Sequence, residues 1–485
     1  MKHQINAWNF SSKTLLVWLI FLLSGSRVAV TQTSPVQSLP KVQVSKGERR
    51  FRLSDGKNFS PFGVTYYRPG TGWAPQVWKQ FDAEATAKDF ALMHQMGVNC
   101  VRIFLSYGSF YSEPGKLNPQ GLEKFDKLLA IAESAGIYVH PTGPDHWEGA
   151  PNWQPVTIED EKTLEALESF WKLFAARYRG RNVIFAYDLK NEPEVGWDGE
   201  ALRQNWNSWL QHKYGSLEDL RRNWHTTNSV DWASVPIPSE KDAPGSQEVL
   251  DYQVCREGIA DTWTRRQVEA IKSVDPQALV TVGLIQWSVP SLLPGSIRYY
   301  SGFRPARQSK FLDFMEVHFY PFANGPYEYQ NDADEVANLA YLEGVVREVS
   351  SSGKPVVLAE FGWYGGGKPG FDRGIHPAAT QDQQARYCRR VVEVSAPYVT
   401  GWLNWGLFDQ PEATDCSQLT GLLTSQGTLK AWGKTFTTLA THPPANEFGS
   451  WPVRPVLDYD SCLTSTAAAK EFRQQYLKSF LDAPR

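Results

Sequence analysis

Eight short apolar runs recur along this chain at nearly even intervals, and no other feature narrows the possible folds as far. The runs begin near Phe62, Val98, Gly136, Val183, Ala278, Leu312, Pro355 and Val399. Six of the seven intervals between them span 34 to 47 residues, room for one strand, one helix and their loops. Runs that are apolar throughout suit strands buried on both faces, and strands that alternate with helices pair in parallel. Eight such units predict an α/β fold, a (β/α)8 TIM barrel, over residues 51–441. The intervening segments carry matching helical stripes. Leu122, Phe125, Leu128, Leu129 and Ala132 precede Gly136, and Leu164, Leu167, Phe170, Trp171 and Phe174 precede Val183. Phe90, Leu92, Met93 and Met96 lead to Gly97, a residue suited to a helix C-terminus.

The departures from the cadence are informative. From Val183 to Ala278 is 95 residues. The excess predicts a structured or functional insertion after the fourth strand, at about 197–245. Its centre, Trp209 to Leu220, reads as two helices broken at Gly215, and the insertion holds Trp197, Trp206, Trp209, Trp224 and Trp232. Its position predicts one wall of the barrel mouth. A tall wall would close a groove toward a pocket, whereas tryptophans packed on one another would make a self-contained helical hairpin. Ahead of the first run, Phe51 to Phe59 alternates around Asp55-Gly56, a hairpin signal. After residue 441 a Pro-rich stretch leads to a helix capped by Ser465, with Phe472, Tyr476, Leu477, Phe480 and Leu481 on one side. This extension, 442–485, is too short for a domain and is expected to dock on the barrel.

The N-terminus reads as a leader. Lys2, His3 and Lys13 accompany a short apolar run, Leu15 to Leu23, and the small residues Ser24 and Ser26. A run of that length spans a bilayer poorly, so residues 1–26 are expected to be a signal peptide and 27–50 a polar linker. The expectation is an exported protein, secreted or periplasmic, with no membrane contact after cleavage. Net charge is −3, from 49 basic and 52 acidic residues, too balanced for holding nucleic acid by counterion release. The five cysteines show no metal-ligand spacing, and neither His-x-His nor His-Glu-x-x-His occurs. No metal and no other cofactor is expected. Gly365-Gly366-Gly367 lacks the Lys-Ser/Thr of a phosphate cradle and reads as a loop. Cys416 and Cys462 lie in polar sequence as a candidate disulfide, which spacing alone does not decide. The 19 Trp, 20 Tyr and 25 Phe suit either a large core or a site for sugars, which present both apolar faces and hydroxyl edges.

Two glutamates stand at strand ends. Val183 to Lys190 runs into Asn191-Glu192-Pro193, and Pro355 to Ala359 runs into Glu360-Phe361-Gly362. The C-terminal face of a barrel is where its chemistry is placed, and the fourth and seventh strands oppose each other across it. An acid at the end of a buried strand is costly unless paired or used. Glycosidic cleavage needs two carboxyl groups, one held protonated and one ionised. Glu192 is assigned as acid/base, Glu360 as nucleophile, and Asn191 as the partner of a sugar 2-hydroxyl. The bland alternative is a charge network closing the barrel mouth.

These two motifs together resemble those of the clan A glycoside hydrolases, most closely glycoside hydrolase family 5. The likeness covers about residues 51–441 and implies a retaining enzyme acting on β-linked carbohydrate, with glucan or mannan favoured. It implies that Arg102 orients the nucleophile, that Tyr320 contacts it, and that His318 meets the sugar or the acid. His318 and Tyr320 share strand parity, so both can face the cleft. His146 resembles the strand-three histidine of the family, with His140 as the alternative. Trp402 and Trp405 have opposite parity, and Trp405, nearer the C-terminal end, is expected to be the sugar platform while Trp402 packs on helices. The insertion resembles that of family 42 β-galactosidase-like barrels. It keeps open a β-galactosidase-like exo-glycosidase, or a transglycosylase using the same carboxylates. A carbohydrate-binding barrel without catalysis is the non-enzymatic alternative, which the presence of both glutamates with Arg102 and Tyr320 argues against.

Overall fold

The computed structural model of the protein describes residues 38–483, apart from 46, 72–76, 147, 149–150, 154–156, 228–230, 371–375 and 445–450. The expected signal peptide and the first part of the expected linker lie outside the described residues. The rest of that linker is not plain connection. Val42–Val44 (β1) pairs antiparallel with Phe51–Leu53 (β2), which turns through Asp55-Gly56 onto Asn58–Phe59 (β3). The expected hairpin is thus the larger part of a three-stranded sheet.

Eight parallel strands close the barrel: Phe62–Thr65 (β4), Cys100–Ser106 (β5), Tyr138–Asp145 (β6), Tyr187–Asn191 (β7), Val280–Leu284 (β8), Met315–Phe319 (β9), Val356–Phe361 (β10) and Gly401–Asn404 (β11). Each starts at the expected run or within four residues after it. The closing pairs are tight. A side chain at Gly63 would place its Cβ 1.7 Å from the Cys100 carbonyl oxygen, so only glycine lets β4 approach β5. The small sheet plugs the N-terminal end of the barrel. Val42, Phe51 and Phe59 pack with Cys100, Tyr138, Phe185, Leu279 and Phe314, which begin or immediately precede barrel strands.

The helices follow from their caps and stripes. Pro119–Ala135 is opened by the Asn118 side chain accepting from Gln120 N, carries proline in its first turn, and ends on Gly136 at φ 70°. Its buried face is the expected stripe, as is that of Glu161–Tyr178. Helix Ala83–Gln95 ends with Gly97 at φ 78°, the left-handed position that favours glycine.

The insertion forms Glu200–Tyr214 and Leu217–Trp224, broken at Gly215 as the sequence indicates. Its tryptophans pack on one another. Trp206 is fully buried and stacks on Trp209 at 5.7 Å and Trp224 at 5.9 Å. Trp197 and Trp232 join the same cluster. The mutual packing of the tryptophans is thus the main arrangement, shared with Val235, Tyr252 and Cys255, while Trp209 also lines an open cavity of about 650 Å³ with Ile158, Glu161 and His212. At the C-terminus, Thr466–Asp482 docks along Asp332–Ser350, where the Tyr476 hydroxyl donates to Glu343 at 3.0 Å. Leu481, expected on the docking stripe, is exposed. All five cysteines are free and buried, so the candidate Cys416–Cys462 disulfide is not formed. The two residues lie in different parts of the fold, Cys416 beside the barrel mouth and Cys462 in the short helix Tyr459–Thr464. No helix of the described residues is long and apolar enough to cross a membrane.

Candidate active site

Five strands deliver charged side chains to the barrel axis: Arg102 on β5, His140 on β6, Asp188 on β7, Glu316 and His318 on β9, and Glu360 on β10. All are buried. Arg102 sits at their centre. Its Nη1 donates to Glu360 Oε1 at 2.5 Å, and its Nη2 to Asp188 Oδ2 at 3.0 Å and Asn191 Oδ1 at 2.9 Å. Its Nε lies 3.4 Å from Glu316 Oε1. A planar guanidinium is suited to this, because it presents several donors in fixed directions and never loses its charge. His140, the register partner of Arg102 on β6, has Nε2 2.8 Å from Glu316 Oε2 and Nδ1 2.9 Å from the Ala186 carbonyl. The cluster needs Gly283 on β8. A Cβ there would stand 3.1 Å from Asp188 Oδ2, 3.1 Å from His318 Nε2 and 3.2 Å from Arg102 Nη2.

Glu192 follows β7 directly. The pairing of β7 with β8 shifts register between Asp188 and Asn191, and Glu192 itself adopts φ 44°. That left-handed conformation is unusual for a side-chain-bearing residue, and such outliers gather at functional sites. Its backbone N–H donates to the Gly283 carbonyl at 2.8 Å. The Glu192 side chain remains 25 % exposed, against 4 % for Glu360. His318 bridges them, with Nδ1 3.0 Å from Glu192 Oε1 and 3.6 Å from Glu360 Oε1. One carboxylate oxygen of each glutamate and one His318 nitrogen all lie within 4.8 Å of one another. Tyr320 donates its hydroxyl to Glu360 Oε2 at 3.0 Å and is fixed by its own N–H on Gln286 Oε1 at 2.7 Å.

The electrostatics follow from burial and mutual charge. Burial raises the Glu360 carboxyl above its ordinary range and the Glu192 charge adds to this, while His318, Arg102 and the Tyr320 hydroxyl pull the other way. Burial disfavours the charged form of His318, but Glu360, Glu192 and Glu316 overcome it and push the imidazole up to about 9. Burial likewise opposes ionisation of Glu316, yet His140, His318 and Arg102 hold it well below the usual carboxylate range. Asp188 is raised by burial and by the neighbouring Glu316. Burial and the Glu360 charge push the Tyr320 phenol far up, so it stays protonated and can donate. Two sets of side chains, His140–Asp188–Glu316 and Glu192–His318–Glu360, are close enough to share a cation. In both, the oxygens already face Arg102 or an imidazole, which supplies the positive charge.

The structure brings Glu192, Glu360, Arg102, Asn191, His318 and Tyr320 to one place. Asn191 turns its side-chain oxygen to Arg102. His146 and His140 separate clearly. His146 is at the surface of the cleft, paired with Asp145 at 2.7 Å, whereas His140 belongs to the buried network. Trp405 lies just past β11, mostly covered, with its indole N–H on Ser417 Oγ at 2.7 Å and its ring near Tyr67 and Phe104. Trp402 packs outward and donates to Ser395 at the end of helix Gln381–Ser395. Trp363 is buried in an aromatic stack with Tyr329, and Trp147 lies outside the described residues. A cavity of about 270 Å³ opens beside Glu192, lined also by His146, Lys190, Asn191, Glu194 and Trp263 among others.

Sequence reasoning missed Asp188 and Glu316 as members of the site, and it gave His140 only as the alternative to His146. For Glu316 the signal was present. Glu316, His318 and Tyr320 are polar at alternate positions of one strand and so share a face. Asp188 carried a similar signal, alternating with Lys190 and Glu192 at the end of its run, but the irregular register after it breaks that parity.

The sequence model of the cellulase family, glycosyl hydrolase family 5, matches residues 54–409. Among curated proteins, the mannan endo-1,4-beta-mannosidase F of Aspergillus clavatus is 22 % identical over 42 % of this chain and 52 % of its own length. The beta-galactosidase of Thermus thermophilus is 24 % identical over 45 % of this chain and 37 % of its own length. The chain thus spans about half or less of these relatives. Among solved structures, the exo-beta-1,4-mannosidase Op5Man5 from an Opitutaceae bacterium superposes with a TM-score of 0.58 at 19 % identity, covering 82 % of this chain and 62 % of that one. A GH5_18 protein from Streptomyces cattleya, solved in complex with Manβ1-4GlcNAc, gives 0.60 at 17 % identity, covering 87 % and 91 %. At these identities the superpositions establish the shared barrel.

Proposed function

This chain belongs to the cellulase family, glycosyl hydrolase family 5, and from that premise we propose that it is a retaining glycoside hydrolase cleaving β-linked glycans of glucan or mannan type. The observation that carries the mechanism is the spacing of the two glutamates. Retaining pairs stand about 5–5.5 Å apart, while inverting pairs leave room for a water at about 6.5–9.5 Å. Carboxylate oxygens of Glu192 and Glu360 within 4.8 Å fit the first arrangement.

Glu360 attacks the anomeric carbon as the glycosidic C–O bond breaks, and Glu192 gives its proton to the departing oxygen. The glycosyl–Glu360 ester is then opened by a water whose proton returns to Glu192. Arg102 and Tyr320 hold both oxygens of Glu360, which aims the carboxylate and stabilises its charge when the ester breaks. Glu192 stands 3.0 Å from His318 Nδ1 and is the more exposed of the two glutamates, on the side where the leaving group must depart. Asn191 offers its amide nitrogen to the sugar 2-hydroxyl, its oxygen being engaged by Arg102. Trp405 and His146 complete the proposed sugar contacts. The leader at residues 1–26 supports an exported enzyme that meets its glycan outside the cytoplasm.

A panel of aryl β-glycosides and β-linked polysaccharides, with a 2-deoxy-2-fluoroglycosyl fluoride as covalent label, tests this reading. The expected outcome is turnover of a mannoside or glucoside and peptide mapping of the label to Glu360. Label on another carboxylate would refute the mechanism. Sugar transfer outrunning hydrolysis at high acceptor concentration would make the protein a transglycosylase.

A further inference from the structure

Three non-glycine residues have positive φ among the described residues: Glu192 at 44°, His225 at 52° and Tyr327 at 62°. His225 ends helix Leu217–Trp224, where a left-handed residue is ordinary. Glu192 is the proposed acid/base. Tyr327 is the third residue of the hydrogen-bonded turn from Gly325 to Glu328, after Pro326, a position of positive φ that glycine or asparagine usually takes; a bulky aromatic there is a true outlier.

Its loop follows β9, the strand of His318 and Tyr320. The loop is closed on itself: Phe322 bridges Glu328, and Glu328 N–H donates to the Gly325 carbonyl at 3.2 Å. Asn338 ties both ends, taking the Phe322 N–H and giving its amide to the Glu328 carbonyl. The Tyr327 carbonyl is held by the His376 ring, and His376 is buried against Trp363 and Tyr364, just after the strand of Glu360. The loops after two adjacent strands are therefore fastened together at the strained residue. The Tyr327 ring meets that of Tyr320 at 5.6 Å, yet the residue is 38 % exposed. Surrounding protein and the charges of Glu192 and Glu360 push its phenol far above the usual range. The ring thus stands one side chain away from Glu360, through Tyr320, whose hydroxyl donates to that carboxylate.

We propose that Tyr327 is a specificity-determining residue of this site, whose phenol touches the sugar unit attacked by Glu360 and whose left-handed backbone holds it there. This rests on the retaining reading above. Strain of this kind persists only where the surroundings impose it, and the His376 and Asn338 bonds supply that constraint.

The test compares wild type, Tyr327→Phe and Tyr327→Asn, asparagine being at ease with positive φ. Readouts are kcat/KM on aryl β-mannoside, β-glucoside and β-galactoside, covalent labelling at Glu360, and Tm. Tyr327→Phe is expected to lose about 10-fold on the preferred sugar and less on the others, because one hydroxyl is read by one hydrogen bond. Tyr327→Asn is expected to lose about 100-fold at equal or higher Tm, since it removes aromatic contact and backbone strain together. Unchanged sugar preference in both variants overturns the proposal, as does a fall in Tm that parallels lost activity. Failure of the wild type to label at Glu360 sinks the retaining reading and this inference with it.

Discussion

At the residue scale, Glu360 illustrates how one carboxylate is pulled both ways. Burial and Glu192 favour its neutral form, while Arg102, His318 and Tyr320 favour the anion. The proposed nucleophile must be ionised, so activity is lost as pH falls through its raised pKa. The acid limb of the kcat/KM profile is expected above the ordinary glutamate value of about 4.3. Tyr320→Phe removes a donor to the anion and should move that limb further up. A limb at or below the ordinary value, unmoved by the substitution, would refute the assignment. His318 behaves oppositely. Its folded-state pKa of about 9 lies above the unfolded value of about 6.5. The stability it contributes is fully present below the lower value and disappears as pH rises through the higher one. Thermal denaturation across that window should show a declining Tm in wild type and a flatter profile in His318→Asn. Equal slopes would show that His318 does not carry the proton.

At the element scale, the site depends on what the strands leave out as much as on what they carry. Gly283 on β8 faces Asp188, His318 and Arg102 at distances where a methyl group does not fit without displacement. These neighbours cannot give way, because each is held by charge-assisted bonds. Gly283→Ala is expected to destabilise the protein by about 1–3 kcal/mol, the range for overpacking a filled core. It should also reduce turnover at least as strongly as Tyr320→Phe. Chemical denaturation and steady-state kinetics measure the two effects, and a variant with wild-type values in both would show that the network has slack. The insertion gives the contrary lesson. Its helices and their break at Gly215 were legible from local spacing, but the stacking of Trp206 on Trp209 and Trp224 was not. Composition could not decide this, because an aromatic that packs and one that binds sugar look alike in sequence.

At the scale of the whole molecule, a barrel needs both ends and its last helix secured. The N-terminal sheet fills the floor beneath the strands. The C-terminal helix is held by Glu343, which accepts from Arg454 Nε at 2.6 Å and from the Tyr476 hydroxyl, with both ionic partners almost wholly buried. Removing one member of a buried pair strands the other, at about 3–5 kcal/mol. Arg454→Ala is expected to lower stability by that amount and to leave kcat nearly unchanged below the melting transition, because the pair is not part of the charged cluster at the mouth. Glu343→Leu together with Arg454→Met should recover much of the loss. Loss of catalysis in a folded Arg454→Ala variant would show that the extension shapes the mouth.

The linear pattern of side chains determined the barrel, the starts of its eight strands to within four residues, and the presence of two carboxylates at strand ends. All of these depend on local periodicity, since a residue's burial repeats with its own helix or strand. Strand parity also placed His318 and Tyr320 together. Only the tertiary structure decided that Arg102, 258 residues from Glu360 along the chain, holds Glu360, Asp188 and Glu316 at once. The same holds for the choice of His140 for the buried network, the unpaired state of Cys416 and Cys462, and the contact of the Tyr327 ring with Tyr320. Those partners are set by the register and closure of strands far apart in sequence, and by two left-handed residues that no periodicity announces.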